Sequence, residues 1–396
     1  MRPSRPPRLL YLVTEDWYFW SHRLPMARAA RDAGFEVAVA TRVNRHGSRI
    51  EAEGFRLIPL SWSRRSLNPL REIAAIAALI AMYRRERPDI VHHVAIKPTL
   101  YGALAARLTG VPAVVNALAG MGYVFTAKGW RTRLLRKPLR LAFRFLLNRN
   151  HSRLLLQNRD DRAAFEGSGL IDGDRIAVIR GSGVDIRYFP VLPEPANGPV
   201  TVATATRMLD FKGVADLVAA FRLLRERGVE ASLLLAGAPD RENPAAIPES
   251  RIRSWGQETG IFWLGHIEDV RDVWRRAHIA AFVPHGGEGL PKTLLEAAAC
   301  GRPIVATDVP GCREIARAGG NALLVPPKAP EALAAALERL IHDAALRHRF
   351  GVASRQIVLS DLSADAVGAR TVELYLSLLH ETQAPDPAAA AAARIS

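Results

Sequence analysis

The stretch from His285 to Glu314, HGGEGLPKTLLEAAACGRPIVATDVPGCRE, gathers the chain's densest set of groups able to do chemistry. Gly286 and Gly287 end an apolar run expected to be a strand, and Pro291 is expected to open a helix. The unpaired amides and positive end of such a helix attract an anion, most naturally phosphate. Glu288 falls on the loop and Glu296 eight residues later, one to two turns inside the helix. The two carboxylates can therefore address one extended ligand at different points, and a nucleotide sugar has that length. Upstream, RMLDFKG places Arg207 and Lys212 after the apolar run Val200 to Thr206. A fork-shaped guanidinium and a point ammonium at the carboxyl end of a strand suit a diphosphate. They would also stabilise charge developing on a leaving group.

The elements that must position these groups alternate twice along the chain. Arg8 to Thr14, Phe35 to Thr41, Arg56 to Leu60, Asp89 to Val94, Ala113 to Asn116 and Arg153 to Gln157 read as strands, with helices such as Leu24 to Ala33 and Pro69 to Arg87 between them. Val200 to Thr206, Ser232 to Gly237, Ile261 to Leu264, Ile279 to Val283, Pro303 to Thr307 and Ala322 to Val325 repeat the scheme. Such alternation implies an α/β protein of two Rossmann-like, doubly wound parallel-sheet domains, with a ligand cleft expected where their carboxyl edges face each other. Pro190, Pro193, Pro195, Gly198 and Pro199 mark the join. The expected parts are residues 1–190, residues 191–360, a helix over 361–382 packing back towards the first domain, and a low-complexity tail over 383–396.

Composition limits the alternatives. With 396 residues, 49% of them hydrophobic and 23% charged, the chain can bury sizeable cores. Cys300 and Cys312 are too few for a disulfide framework, which fits a reducing cytoplasm, and are expected to be buried apolar groups. The longest apolar run, Ile73 to Tyr83, is too short to span a bilayer, and the N-terminus lacks the core and cleavage site of a signal peptide. Residues 1–190 carry 32 Lys and Arg against 15 Asp and Glu, a surplus of 17, whereas the remainder, 22 against 24, is slightly acidic. From Lys128 to Arg153 nine cations, among them Arg131, Arg133, Arg136, Lys137, Arg140 and Arg144, interleave with leucines and phenylalanines and with no acid. A basic amphipathic helix of this kind suits an anionic membrane surface. The plainer alternative is a solvated helix face. Nucleic acid ranks last, because no stacking aromatics interleave with the bases in a recognisable pattern.

RMLDFKG (Arg207 to Gly213), LLLAGA (Leu233 to Ala238), FWLGHIEDV (Phe262 to Val270) and EGLPKTLLE (Glu288 to Glu296) occur in the order of a known family. The second half resembles the retaining nucleotide-sugar glycosyltransferases of group 1, which have the GT-B fold; EGLPKTLLE is similar to their E-x7-E motif. GSGVD (Gly181 to Asp185) resembles the loop before their interdomain linker. The resemblance implies that Arg207 and Lys212 hold the donor diphosphate and neutralise it as the glycosidic bond breaks. It implies that Glu288 contacts hydroxyls of the transferred sugar and that Glu296 accepts hydrogen bonds from the ribose. Gly289, Leu290, Pro291 and Lys292 would lie beneath sugar and phosphate, and Gly286, Gly287, Gly183 and His266 would complete the donor side. It further implies retention of configuration, commonly explained by a front-face mechanism in which the leaving phosphate takes the acceptor proton, and no metal or other cofactor. Taken singly, each of these charges is more often a surface group. Asp172-Gly-Asp174 imitates a metal-binding D-x-D but reads as turn chemistry before a strand at Ile176.

In the first half, TEDWYFWSHRLP (Thr14 to Pro25), DIVHHVAIKPTLYG (Asp89 to Gly102) and NALAGMGYVFT (Asn116 to Thr126) look like enzymes that extend sugars on polyprenyl diphosphate during surface-polysaccharide or glycan assembly. Where many family members carry a glycine pair after the first strand, this chain has Glu15, Asp16 and Trp17, and Asn116 to Gly122 replaces the usual histidine pattern. His22, His93, Lys97, Asn116, Gly120 and Gly122 are expected on the acceptor or sugar side, with at most one of His92 and His93 reaching it, since neighbouring strand residues point to opposite faces. The partners so implied are a nucleotide-sugar donor, a lipid-linked saccharide and the inner face of the cell membrane. A UDP-N-acetylglucosamine 2-epimerase is the nearest rival, needing no acceptor and no basic surface. A non-catalytic nucleotide-sugar-binding protein is the other, disfavoured by Arg207, Lys212, Glu288 and Glu296 standing together.

Overall fold

Short runs such as LLYLV, VAVAT and LLLA are apolar on both alternating faces, the pattern of strands covered by helices on either side. In the computed structural model, which describes residues 5–62, 68–118, 140–240 and 242–383, they build two all-parallel sheets. The first contains β1 (Arg8–Glu15), β2 (Glu36–Arg42), β3 (Arg56–Pro59), β4 (Ile90–Val94), β5 (Ala113–Ala117), β6 (Ser152–Leu156) and β7 (Ile176–Val178), in the order β3-β2-β1-β4-β5-β6-β7. Between its strands run α1 (Asp16–His22), α2 (Leu24–Asp32), α3 (Gly47–Ala52), α4 (Pro69–Glu86) and α5 (Ile96–Thr109). The second contains β8 (Val200–Ala205), β9 (Ala231–Ala236), β10 (Ile261–Gly265), β11 (Ile279–Phe282), β12 (Ile304–Thr307) and β13 (Ala322–Val325), in the order β10-β9-β8-β11-β12-β13. In both, the order reverses beside the first strand, the topological switch point at which open α/β sheets bind ligands.

The second sheet shows how alternation is spent. Val202, Leu233, Leu235, Ile279, Ala281 and Val305 enter one core, while Ala203, Leu234, Ala236, Ala280, Phe282 and Ile304 enter the other. Each face is fully covered, so polar work is left to the strand ends and the loops beyond them.

The chain divides into two units, one of Met1–Leu156, Arg162–Ile179 and the residues from Gly368, the other of Gln157–Asp161 and Arg180–Val367. The passage at Ile179 and Arg180 comes ten residues before the proline-rich segment that marks it in the sequence. Arg180 pairs with Glu314 at 2.5 Å and with Asp361 at 3.1 Å, and the segment after Pro190 is bonded to the second unit by Leu192 N to the Cys300 carbonyl and Arg302 to the Pro193 carbonyl. The Ala364–Gln383 helix joins the first unit from Gly368 onward, where the Tyr375 hydroxyl meets the Tyr11 hydroxyl at 2.8 Å and His92 Nδ1 at 2.5 Å. Residues 384–396 of the expected tail lie outside the described residues.

The basic helix expected over Lys128 to Arg153 ends before Arg153, which the sequence also reads as the start of a strand. Residues 140–147 are helical, but Arg153 lies in β6, a central strand whose ladder begins at Ser152. Gly120, Gly122, Arg131, Arg133, Arg136 and Lys137 lie outside the described residues. Among the described residues, no helix is long and apolar enough to cross a membrane.

Candidate active site

The loops after β8 and β11 converge in the second unit. Beyond β8 the chain turns through Asp210–Lys212 into the Val214–Glu226 helix, with Gly213 at φ 73°. A Cβ at Gly213 would stand 1.9 Å from the Val283 carbonyl oxygen, so only glycine lets the loop press against the end of β11. The His285 amide donates to the Phe211 carbonyl at 2.9 Å and ties the two loops together. Lys212 Nζ consequently sits 2.6 Å from Glu288 Oε1, with both side chains mostly withdrawn from solvent at 10% and 16% exposure. The ammonium also lies over the Phe211 and Phe282 rings, a position that holds a cation where few waters reach it.

Arg207, two residues past the end of β8, is more exposed and pairs with Asp240 at 2.9 Å. The glycine loop between them is braced from behind. The Thr307 hydroxyl donates to the Pro284 carbonyl at 2.7 Å, and the Leu290 amide donates to Gln157 Oε1 at 3.1 Å. Gly311 packs so closely under the loop that a Cβ there would lie 1.7 Å from the Gly289 carbonyl oxygen. Gly286 and Gly287 take φ values of 130° and 76°, with open space on the side where a Cβ would project. His285 Nε2 lies 2.7 Å from Asp216 Oδ2 on the first turn of the Val214–Glu226 helix.

Pro291 is the N-cap residue and the helix itself runs from Lys292 to Ala299. Glu296 is buried on it, 3.3 Å from Lys292 Nζ one turn earlier, and burial raises its carboxyl above the usual range despite the lysine. Glu288 on the loop pairs with Lys212 and Glu296 inside the helix pairs with Lys292, while Gly289, Leu290 and Pro291 between them are buried. His266 is exposed on the loop after the edge strand β10, and Gly183 packs its α-carbon side against Ser363 and Ala364, where Val184 bridges to Ser363.

In the first unit the expectation of an open polar edge needs correction. His93 is fully buried, with Nε2 2.9 Å from the Tyr83 hydroxyl and Nδ1 2.8 Å from Asn116 Oδ1. Asn116 is equally buried and donates to the Ser152 hydroxyl at 3.3 Å, while Gly102 leaves the space that the His93 ring fills. Burial pulls the His93 imidazole down to about 4, and His92, buried on the other face, well below its ordinary value. Both are core histidines, because a parallel strand covered on two sides offers neither residue a way out. His22 remains partly accessible, stacked on Tyr18 at 4.3 Å, and Lys97 pairs with Glu72 at 2.6 Å.

The loop after β1 is closed by its own side chains. Asp16 is fully buried; its Oδ1 accepts from the Trp17 amide at 2.7 Å and its Oδ2 from the amides of Asn44, Arg45 and His46 at 2.7, 2.8 and 2.8 Å. Glu15 beside it pairs with Arg42 at 3.2 Å and accepts from Asn44 at 2.9 Å. Asp172 and Arg175 pair across a 3-10 turn, as turn chemistry requires. Cys300 and Cys312 are free and buried, and burial pushes the Cys300 thiol up to about 12. Among the described residues no cluster of three His, Cys, Asp or Glu could hold a metal.

Sequence reading missed Asp240, Asp216, Gln157 and Gly311. Each lies 22 or more residues from the group it supports, and no local pattern announces it; only Gly213, inside RMLDFKG, carried a signal next to the site.

Comparison with known proteins bears on the family and the fold. Residues 199–343 match the family described as Glycosyl transferases group 1, and residues 8–158 match Glycosyl transferase 4-like. The N,N'-diacetylbacillosaminyl-diphospho-undecaprenol alpha-1,3-N-acetylgalactosaminyltransferase of Campylobacter jejuni is 24% identical over 366 residues, covering 89% of this chain and 94% of that protein. The UDP-Gal:alpha-D-GlcNAc-diphosphoundecaprenol alpha-1,3-galactosyltransferase of Escherichia coli is 22% identical, over 62% of this chain and 65% of its own. The crystal structure of Anabaena HepE in complex with UDP and glucose superposes with a TM-score of 0.75 at 18% identity, covering 93% of this chain and 99% of that one. With both halves matched and two parallel-sheet domains of this kind, the chain belongs to the group 1 glycosyltransferases and has the GT-B fold.

Proposed function

We propose that this glycosyltransferase moves a hexose or N-acetylhexosamine from a nucleotide diphosphate donor to a saccharide linked to polyprenyl diphosphate, with retention of configuration and without a metal. The observation that carries the reading is the Lys212–Glu288 pair on the braced glycine loop, with Arg207 on the same loop after β8 as Lys212. A cation held in a half-buried site against a carboxylate can lean toward a diphosphate when one arrives. The bond from the anomeric carbon to the diphosphate oxygen breaks as the bond to the acceptor oxygen forms on the same face. The acceptor proton passes to the departing diphosphate oxygen, whose growing charge Arg207 and Lys212 offset. In this reading Glu288 accepts hydrogen bonds from the sugar hydroxyls, and Glu296 from the ribose.

The acceptor class rests on the relatives, two of which are named for diphospho-undecaprenol substrates. A cationic apolar surface supports it: Leu141 and Phe145, each following an arginine (Arg140 and Arg144), are 70% and 57% exposed, with the Arg107 guanidinium 4.3 Å from the Phe145 ring centroid. Such a surface suits peripheral binding to anionic lipid at the cytoplasmic leaflet.

The test is a thermal-shift panel of UDP, GDP, ADP and their sugar conjugates with and without EDTA, because a ligand of the folded state alone raises its melting temperature. A selective, EDTA-insensitive shift by one nucleotide is expected, and no shift with any of them would remove the donor site. Glu288→Gln should keep the shift and lose transfer, and NMR of the product should give the donor's anomeric configuration.

A further inference from the structure

A groove in the first unit, remote in sequence from the donor loops, has no part in the chemistry described so far. It encloses about 510 Å³ between α4 and the segment that leaves β3. Ile58, Leu60 and Trp62 form one wall, and α4 supplies the other through Ala75, Ala78, Leu79 and Met82. The space exists because α4 presents alanines at 74, 75 and 78, where larger side chains would fill it. Arg71 and Arg85, both on its lining, stand fourteen residues apart on α4, so the groove extends for about 21 Å along the helix axis.

Its two ends differ. At the carboxyl edge of the sheet stand Arg71, Glu72 and Lys97. The Glu72 charge is already met there by Lys97 at 2.6 Å and by the Tyr101 hydroxyl at 2.6 Å, which leaves a surplus of positive charge. From that end the groove runs between apolar walls toward Arg85. Its outer rim continues onto an exposed face of α4 on which Leu70, Ile73, Ala77 and Ala81 recur at helical spacing; Leu70 and Ile73 are 78% and 64% exposed. A helix that is apolar almost all round and yet half exposed needs an apolar partner.

We propose that this groove seats the polyisoprenoid chain of the lipid-linked acceptor, with the diphosphate at Arg71 and Lys97 and the first isoprene units along Ala75, Ala78 and Met82. The inference rests on the acceptor class proposed above and adds a place where the enzyme reads the lipid. A long groove with apolar walls, the positive surplus of Arg71 and Lys97 at one end and at the other Arg85 paired with Glu86 at 2.8 Å, matches an apolar chain with a dianionic head better than a compact headgroup or a free sugar.

Isothermal titration calorimetry on the full chain tests it with farnesyl diphosphate, inorganic pyrophosphate and the short-chain phospholipid dihexanoylphosphatidylglycerol. Farnesyl diphosphate should bind at least tenfold more tightly than pyrophosphate, Ala78→Leu and Ala75→Leu should each erase that advantage, and Arg71→Glu should weaken both diphosphates. The UDP-induced thermal shift should stay unchanged in all three variants, which certifies their folding. Equal affinity for farnesyl diphosphate and pyrophosphate in the unaltered protein overturns the proposal without recourse to any variant. Undiminished binding in both alanine variants, or equal binding of the phospholipid, which would make the groove an acyl-chain site, overturns it too. Loss of the UDP shift in the unaltered protein strikes the donor reading alone and leaves the groove to be judged on farnesyl diphosphate.

Discussion

The two sheets begin alike and end their first strand in opposite ways. After β1 the chain places Glu15 and Asp16, and the Asp16 carboxylate fills a ring of backbone amides at Trp17 and at residues 44–46. After β8 it places Arg207 and Lys212, with Gly213 letting the loop settle against β11. The switch-point position that could hold an anion is thus occupied by the protein's own carboxylate in the first unit, and carries cations in the second, where the proposed donor diphosphate would bind. One topology yields a structural plug and, in that reading, a ligand site, and the sign of two side chains decides which.

The comparison can be broken most sharply at Lys212. Lys212→Gln should lower kcat by about two to three orders of magnitude, as loss of a group that stabilises a leaving anion does, while the melting temperature holds. If kcat changes less than tenfold, the cationic loop is not where the leaving group is stabilised. Next in size is Asp16→Ala, which strands the amides it serves and should cost about 3 kcal/mol of stability in denaturant unfolding while donor affinity stays the same. A loss of donor affinity as large as that of Lys212→Gln would mean that the first loop also serves the ligand.

Acid probes the first unit more gently. The His93 imidazole is held down to about 4 by burial, against an ordinary value near 6.5, so its neutral form contributes stability that is complete above pH 6.5 and lost as pH falls toward 4. Roughly 1 kcal/mol should be gone by pH 5.5, seen as a fall in melting temperature between pH 7 and 5.5 that His93→Gln reduces. Smallest of all, Asp172→Ala should change stability by less than about 0.5 kcal/mol and leave activity intact, since its pair with Arg175 is exposed. A metal-dependent loss of activity in that variant would reopen the D-x-D reading.

All twelve strands read from the sequence appear within one or two residues of their expected ends, because strands buried on both faces need continuous apolar runs bounded by polar loops. The Glu288 to Glu296 stretch was legible for a related reason: loop, helix start and first turns are contiguous in sequence. The first unit's site residues were not. The His92-His93 pair, side by side on β4, looks the same in sequence whether one ring reaches solvent or both are enclosed, and Tyr83, Tyr375 and Asn116 enclose them from distant parts of the chain. Asp240 opposite Arg207 and Gln157 under Leu290 were hidden by the same distance. Arg153 closes the run of cations and, as read from the sequence, opens a strand, so the basic helix had to end before it.

The Ala364–Gln383 helix has a practical corollary for dissecting the enzyme. Gly368 lies so close to Ala29 that an added methyl would stand 2.7 Å from it, and Tyr375 supplies hydroxyl partners to Tyr11 and His92. A fragment cut at the proline-rich segment would therefore leave the first unit with an unfilled slot and two stranded polar groups in its core. It should be produced as a split protein instead, residues 5–179 with a peptide of residues 364–383 supplied in trans, and the peptide's affinity would report how well that unit folds.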